Sequence, residues 1–569
     1  MPSTGSAPSG SRATSKRSYS NNDCPGEPLA RPPREVINAG GVEPRTRGHD
    51  EVFARMTTAP ANGVRRPNIL WISLEDTSPR FGCTGDPLAR TPNIDALAAA
   101  GCRYPNAFST AGVCAPSRAA IITGMYQTAI GAHQMRTTHR NPHAPEMATP
   151  YECVPPPHVK CFPEYLRAAG YYCTNNSKTD YQFAPPRTAW DGCHGKAHWR
   201  DRPDPKQPFF AVFNPTVTHE SGMWPKEGEE IVTDPDRVVL PPYLPDTPKA
   251  RLALARHYDN LARADARVGE LLGELEADGL AENTLVVLWS DHGEGLPRGK
   301  RWPNDAGTHI PLIVRWPGCL APGSVREEVV SLVDLAPTML AAADVPPPRH
   351  LHGRAFLSPG GSPAADTPPR VYAFACKDRM DEAYDRVRSV RDARFRYTRN
   401  FHPDLPYEPW IPYRNRHPVM QELWRLRREG TLTGPQTLLM RDSRPPEELY
   451  DTHADPWETH NLADDPGHRE TLLRLRAVCD DWVREYDMFG GVDETQMAER
   501  FWPGGVQPTT APPLFVVYAE GEDGVEPAPE GGGEYPGPLL VQLFSATQGA
   551  SLAYATEARS AAVRRWRSG

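Results

Sequence analysis

The chain has 569 residues, 39% hydrophobic and 24% charged, with a formal net charge of -8 and a pI near 6.2. That length allows a large core in one big domain with appendages, or two to three domains. The charge balance shows no basic stripe of the kind nucleic-acid binders carry; no run approaches the ~18 apolar residues of a membrane helix; and eleven cysteines without a CxxC pair argue against a structural zinc site.

Residues 1–65 are rich in Ser, Gly, Pro and Arg and read as a disordered leader. The opening MPSTGSAPSGSRATSKRSYSNN lacks the apolar stretch of a secretory signal, so no export address is visible and localisation stays open. RPNILWISLED (66–76) is a buried-strand signal that ends in two carboxylates, Glu75 and Asp76. TPNIDALAAAG follows with a Thr N-cap at Thr91, Pro at the first helical position and Gly after the end. GYYCTNNSKTDY and PFFAVFNPTVTHE are further apolar runs that finish in polar residues. The clearest helix is KARLALARHYDNLARADARVGELLGELEADG, in which Leu254, Tyr258, Leu261, Asp265, Val268, Leu272 and Leu275 fall close to one face. NTLVVLWSDHGEG and HIPLIVRWPG are again buried strands.

This alternation predicts an α/β domain over residues 66–345, with a large, mostly parallel sheet flanked by helices. Ligands of such sheets bind beyond the carboxyl ends of the strands, where Glu75, Asp76, Lys178, His219, Asp291 and His292 fall. From about 320 the pattern changes. VVSLVDLAPTMLAAADV reads as a helix, short strands surround RVRSVRDARFRYTRNF, and a last helix covers ETLLRLRAVCDDWVREYDMFG, giving a smaller α+β subdomain over 346–500. Residues 501–569 alternate strand-like runs without a helix and read as a short β-rich tail. Cys153, Cys161, Cys173 and Cys193 lie near enough for one or two disulfides, whose pairing the spacing leaves open.

In VCAPSRAAIITG, Cys114 opens a short helix-like run. A lone cysteine is most often a packed small hydrophobe. Beside Arg118 at a helix start it also suits a low-pKa thiolate, but no histidine base stands nearby in sequence. The string Cys114-Ala115-Pro116-Ser117-Arg118 resembles the C-x-P-S-R signature of the type I sulfatases, within the alkaline phosphatase superfamily. RPNILWISLED, TPNIDALAAAG, LVVLWSDHGEG, VSLVDLAPTML and ELYDTHADPWETHNLADDP look like further landmarks of that family in the same order, across about residues 66–490. SLED, SKTDY, GLPRGKRW and DRVRSVRDARFRYTRNF are most similar to the branch of heparan N-sulfatase (N-sulfoglucosamine sulfohydrolase) and its bacterial relatives.

The resemblance implies an alkaline phosphatase-like fold and a hydrolase of sulfate esters or sulfamates on a sulfated sugar. It implies that Cys114 is oxidised to formylglycine by a formylglycine-generating enzyme, whose hydrated diol attacks sulfur and later expels sulfate. It implies one divalent cation per chain, Ca²⁺ with Mg²⁺ as the alternative, on Glu75, Asp76, Asp291 and His292. Glu75 departs from the family's usual Asp, and His292 from its common Asn. Arg118 resembles the arginine that pairs with the metal carboxylates, Lys178 the lysine on sulfate, His219 the histidine near the leaving group, and Lys300 the lysine upstream of an acidic turn at Asp305. The general acid is then His219 or Lys300. Asp180 stands where many sulfatases carry a histidine. Arg301 is a further candidate at the substrate. So are Arg386 and Arg388 with Asp381 and Glu382, although a salt-bridged strand fits the arginines equally well. Sulfated carbohydrate is the expected partner, without nucleic acid or membrane, and a homodimer stays open. A phosphonate monoester or phosphodiester hydrolase, and a catalytically silent glycan-binding protein, are the competing readings.

Overall fold

The central strands of the main sheet are buried along their whole length and mostly apolar because both of their faces are covered. In chain order its eight strands are β1 (Asn68–Leu74), β2 (Cys102–Arg103), β3 (Tyr172–Asn176), β4 (Gly192–Cys193), β5 (Phe209–Phe213), β6 (Thr284–Ser290), β7 (Leu312–Arg315) and β8 (Ser324–Val325). They lie in the order β4-β3-β5-β1-β6-β7-β2-β8. From β4 to β6 every pairing is parallel, while β7 runs antiparallel to both neighbours, β6 and β2. The computed structural model describes residues 66–140, 142–362, 367–519, 526–527 and 539–554. The expected leader, 1–65, lies outside them.

The alternation of side chains along β1 sorts the core into two layers. Ile69 and Trp71 point to one face, with Phe210, Val212, Leu285 and Val287. There they meet Ile121 and Ile122 of α2 (Cys114–Thr123) and the helices Phe162–Ala168 and Leu335–Ala342. Leu70, Ile72 and Leu74 point to the other face, against α1 (Pro92–Ala99) and the long α3 (Pro248–Ala277). The predicted face of α3 is buried at Leu254, Tyr258, Leu261, Asp265, Val268 and Leu275, with Leu272 half-buried at its margin.

The polar member of that face explains one departure from expectation. Thr91 does not cap α1; its hydroxyl accepts from the Gly82 amide at 3.0 Å. The cap comes from α3, where Asp265 accepts from the amides of Ile94 at 2.8 Å and Asn93 at 3.3 Å. A long-range carboxylate does what the local hydroxyl does elsewhere.

A second, antiparallel sheet consists of β9 (Ala373–Lys377), β10 (Val387–Arg391), β11 (Phe395–Asn400) and β12 (Glu447–Asp451), in that order. Before β12 runs α4 (Pro418–Glu429), which the Pro-rich sequence around it concealed, and α5 (Arg469–Tyr486) packs on the sheet through Leu472, Leu475 and Cys479. In the tail, β13 (Leu514–Ala519), β14 (Glu526–Pro527) and β15 (Leu539–Phe544) form a three-stranded sheet. All ten cysteines among the described residues are free, so the four between 153 and 193 form no bridge. No helix among the described residues is long and apolar enough to cross a membrane.

Candidate active site

Strand register assembles the site. Leu74 of β1 sits beside Ser290 of β6, so Glu75 and Asp76 emerge next to Asp291 and His292. On the other side of β1, Ile72 pairs with Phe213 of β5, and Phe213 with Asn176 of β3. Asn214 and Lys178 therefore leave the same edge. Helix α2 begins at Cys114, after an extended Val113 that supplies no side-chain cap. The positive end of the helix is thus left open at the cysteine.

Cys114 is 1% exposed, with its Sγ 3.3 Å from His292 Nε2. Asp76, at φ +47, brings Oδ1 to 3.0 Å from the same nitrogen. Its Oδ2 accepts from the Glu220 amide at 2.6 Å and from Lys300 Nζ at 2.8 Å. Asp291 accepts from Arg118 Nε at 2.9 Å. His292 Nδ1 donates to the Gly293 carbonyl at 2.9 Å, which fixes the ring with Nε2 toward the carboxylates. Gly293 is required, because a Cβ would meet the Ala306 carbonyl oxygen at 2.2 Å. Cys114, Asp291 and His292 place ligand atoms within 4.8 Å of one another, and so do Asp76, Cys114 and His219. Glu75 stands outside both groups; its carboxylate is held by Lys178 Nζ at 2.7 Å.

The charges are buried and mutually dependent. Burial opposes ionisation of Asp76, yet Lys300, His219 and His292 hold its pKa well below the usual carboxylate range. Asp291 is held low against burial by His292, Arg118 and Lys178. Against burial, Asp291 and Asp76 push the His292 imidazole up to about 10. Two carboxylates with an imidazole nitrogen, drawn together at the strand ends, are a donor set that fits a divalent cation.

Lys178 is also 3.7 Å from Asp180, whose Oδ1 takes Arg136 Nη1 at 2.6 Å. Asp180 therefore positions two cations at the site's edge. His219 Nε2 meets Lys300 Nζ at 3.1 Å, and its Nδ1 meets Ser221 Oγ at 2.9 Å. Burial and the Lys300 charge lower the His219 pKa, so the proton of this pair resides on lysine at neutral pH. Arg301 holds Glu220 through both nitrogens, at 2.8 and 3.0 Å.

Three expected residues stand elsewhere. Arg388 is fully buried between Asp378 and Asp487, and Arg386 pairs with Asp487 at 2.6 Å while lying over the Phe401 ring. Both are paired with carboxylates beside the second sheet, and neither lines the cleft. Asp305 binds Arg391 and Arg396, tying the sheets together rather than facing Lys300. Conversely, Asn214, which takes Arg118 Nη1 at 3.0 Å, and Glu220 escaped the sequence reading. Each directly follows a recognised element or residue, which was the available signal. Arg136 had none.

Outward from Lys300 and His219 opens a cleft of about 610 Å³, lined further by Glu220, Arg301, Arg136, Arg140, Asp381, Glu382, Tyr413 and Arg416.

A family model described as Sulfatase matches residues 67–192 and 195–345, and one described as N-sulphoglucosamine sulphohydrolase, C-terminal, matches residues 293–401. Over 489 residues the chain is 41% identical to an ulvan-active sulfatase of Formosa agariphila, covering 79% of this chain and 80% of that protein. It is 30% identical to the N-sulphoglucosamine sulphohydrolase of Homo sapiens over 486 residues, 74% of this chain and 91% of that one. Among solved structures, BT4656 in complex with its substrate D-glucosamine-2-N,6-O-disulfate matches with a TM-score of 0.51 and 19% identity, over 74% of this chain and 98% of that one. The phosphonate monoester hydrolase of Silicibacter pomeroyi matches at 0.53 and 20%, over 75% and 97%. These two likenesses speak to the fold.

Proposed function

The chain belongs to the sulfatase family, hydrolases of sulfuric esters that use a formylglycine and a divalent metal, and on that premise we propose that it removes sulfate from a sulfated carbohydrate. The supporting observation is the convergence of Cys114, Asp76, Asp291 and His292 at the positive end of α2, inside a ring of Arg118, Lys178 and Lys300. The bond cut is a sulfate ester, as the ulvan-active relative's name suggests; the second model match, over residues 293–401, favours a sulfamate as the other reading.

Asp76, Asp291 and His292 would hold the cation, with Glu75 joining once released from Lys178. Ca²⁺ is the first expectation and Mg²⁺ the second, since oxygen ligands dominate. When bound, the ion supplies positive charge beside the sulfuryl oxygens. Residue 114, once converted to formylglycine by a generating enzyme that reads Cys114 to Arg118, would supply the nucleophilic oxygen. Lys178 and Arg118 hold the anionic sulfuryl group in line with the α2 terminus. The Lys300–His219 pair delivers the proton to the departing atom across their 3.1 Å contact.

The test is mass spectrometry of the tryptic peptide Tyr104–Arg118 from protein made with the generating enzyme, alongside sulfate release from a panel of sulfated oligosaccharides. A peptide lighter than the thiol form that reacts with a hydrazide, together with sulfate release, supports the reading. A free thiol in a protein that still turns over removes it. Faster cleavage of an aryl phosphonate than of any sulfate shifts the chain to the phosphonate hydrolase reading.

A further inference from the structure

The reaction as proposed uses only the inner end of the cleft, yet the volume of about 610 Å³ is in the range that takes a ligand of several rings. The cations along it divide into two sets. Lys300, Arg301 and Arg136 are committed at short range to Asp76, Glu220 and Asp180. Arg140 and Arg416, which also line the cleft, have no carboxylate partner among the described residues, and both are exposed.

Arg416 is nonetheless fixed in place. Its guanidinium lies 4.3 Å from the centre of the Trp224 ring, and that ring packs against Tyr413 at 5.1 Å. Tyr413, 37% exposed, presents the apolar edge of this stack to the cleft. An arginine held by an aromatic face keeps its fork of N–H donors free and preorganised, and that fork suits a planar carboxylate or a sulfate. An exposed aromatic ring beside it suits the apolar face of a sugar.

We propose that the outer half of the cleft is a second anion subsite, in which Arg140 and Arg416 engage a carboxylate or sulfate on the sugar next to the one that loses its sulfate, with that neighbouring ring resting on Tyr413. The proposal rests on the sulfated-carbohydrate reading and narrows it to a polyanionic oligosaccharide. The subsite is open to solvent, so its contribution weakens as salt rises.

The experiment compares mature enzyme and the Arg140→Ala/Arg416→Ala double variant on three substrates: 4-nitrophenyl sulfate, a sulfated oligosaccharide whose neighbouring sugar is a uronate, and the same oligosaccharide with that carboxylate reduced to an alcohol. The expected result is a fall of about tenfold in the ratio of kcat/KM for the uronate oligosaccharide over 4-nitrophenyl sulfate, carried by KM, from the loss of two exposed charge-assisted contacts. The parent enzyme should lose the same factor on the reduced oligosaccharide. A parallel arm with a neighbouring sulfated sugar tells a sulfate preference from a carboxylate preference. A ratio unchanged in both arms overturns the subsite. Calorimetric binding of the same oligosaccharides to the Cys114→Ser protein, with and without the two arginines, needs no turnover. Weaker binding without the arginines supports the subsite even if the sulfatase reading fails, and equal binding rejects it even if that reading holds.

Discussion

Asp76 takes the Glu220 amide, Lys300 Nζ and His292 Nε2 together, at 2.6, 2.8 and 3.0 Å, with no exposure to solvent. Its neutral isostere keeps the shape and removes the charge. Asp76→Asn should therefore reduce bound divalent metal from one per chain to near none by elemental analysis, and lower kcat by at least about a thousandfold. The His219 assignment has a sharper signature, because a proton donor matters most when the leaving group is poor. His219→Ala should cost about 10²- to 10⁴-fold on an alkyl or sugar sulfate but under about tenfold on 4-nitrophenyl sulfate. An equal loss on both would make His219 a merely structural neighbour of Lys300. Residues such as Asp76 and Asp291 were legible in the sequence because each ends an apolar run. Glu75 was legible as to place but not as to partner, since its contact with Lys178 depends on how β1 and β3 stand across β5.

At the scale of elements, apolar runs and helix periodicity placed most of the main sheet and α3, and what they missed was long-range. Thr91 is a good capping residue by type, yet the cap of α1 comes from Asp265, more than 170 positions away. The α3 pattern placed Asp265 on the buried face without a reason for a carboxylate there; the reason is two amides of another helix. Asp265→Ala should lower unfolding free energy by about 1–2 kcal/mol in a denaturant titration, and Asp265→Asn by less. Thr91→Val should remove the hydroxyl's contacts to the Gly82 amide and the Asp95 carboxylate and leave the amides of Asn93 and Ile94 bonded to Asp265. Arg386 and Arg388 teach the converse. Charged residues on a strand resemble a recognition surface in sequence, and only the approach of Asp378 and Asp487 shows them satisfied within the fold.

Over the whole molecule, the second sheet supports the segment that carries Lys300 and Arg301. Arg396 of β11 reaches Asp305 and the Pro303 carbonyl, and Glu458 forms an ion pair with the same guanidinium at 2.8 Å. At the end of β9, Lys377 lies 3.7 Å from the centre of the Trp302 ring and 2.6 Å from Asp385. Burial, with Arg444 beside it and Asp385 opposing, lowers the Lys377 pKa to about 8. Between about 8 and the ordinary lysine value near 10.5 the unfolded chain holds more protons than the native one, so this group makes stability rise with pH across that window. Below about 8 the native state bears the full penalty of the buried charge. Guanidinium titrations at several pH values should show the parent protein gaining up to about 3 kcal/mol more than Lys377→Met over that interval.

The ends of four adjacent strands, β3, β5, β1 and β6, carry Lys178, Asn214, the Glu75–Asp76 pair and the Asp291–His292 pair, and their register leaves little room for drift. The rim of the cleft is drawn from residues 135–140, 142–143, 381–382 and 412–416, all outside those strands. Chemistry and taste are thus written in different parts of the chain. A lineage of such enzymes can wander from one polysaccharide to another by rewriting three short stretches, and anyone wishing to retarget this catalyst inherits the same short editing list.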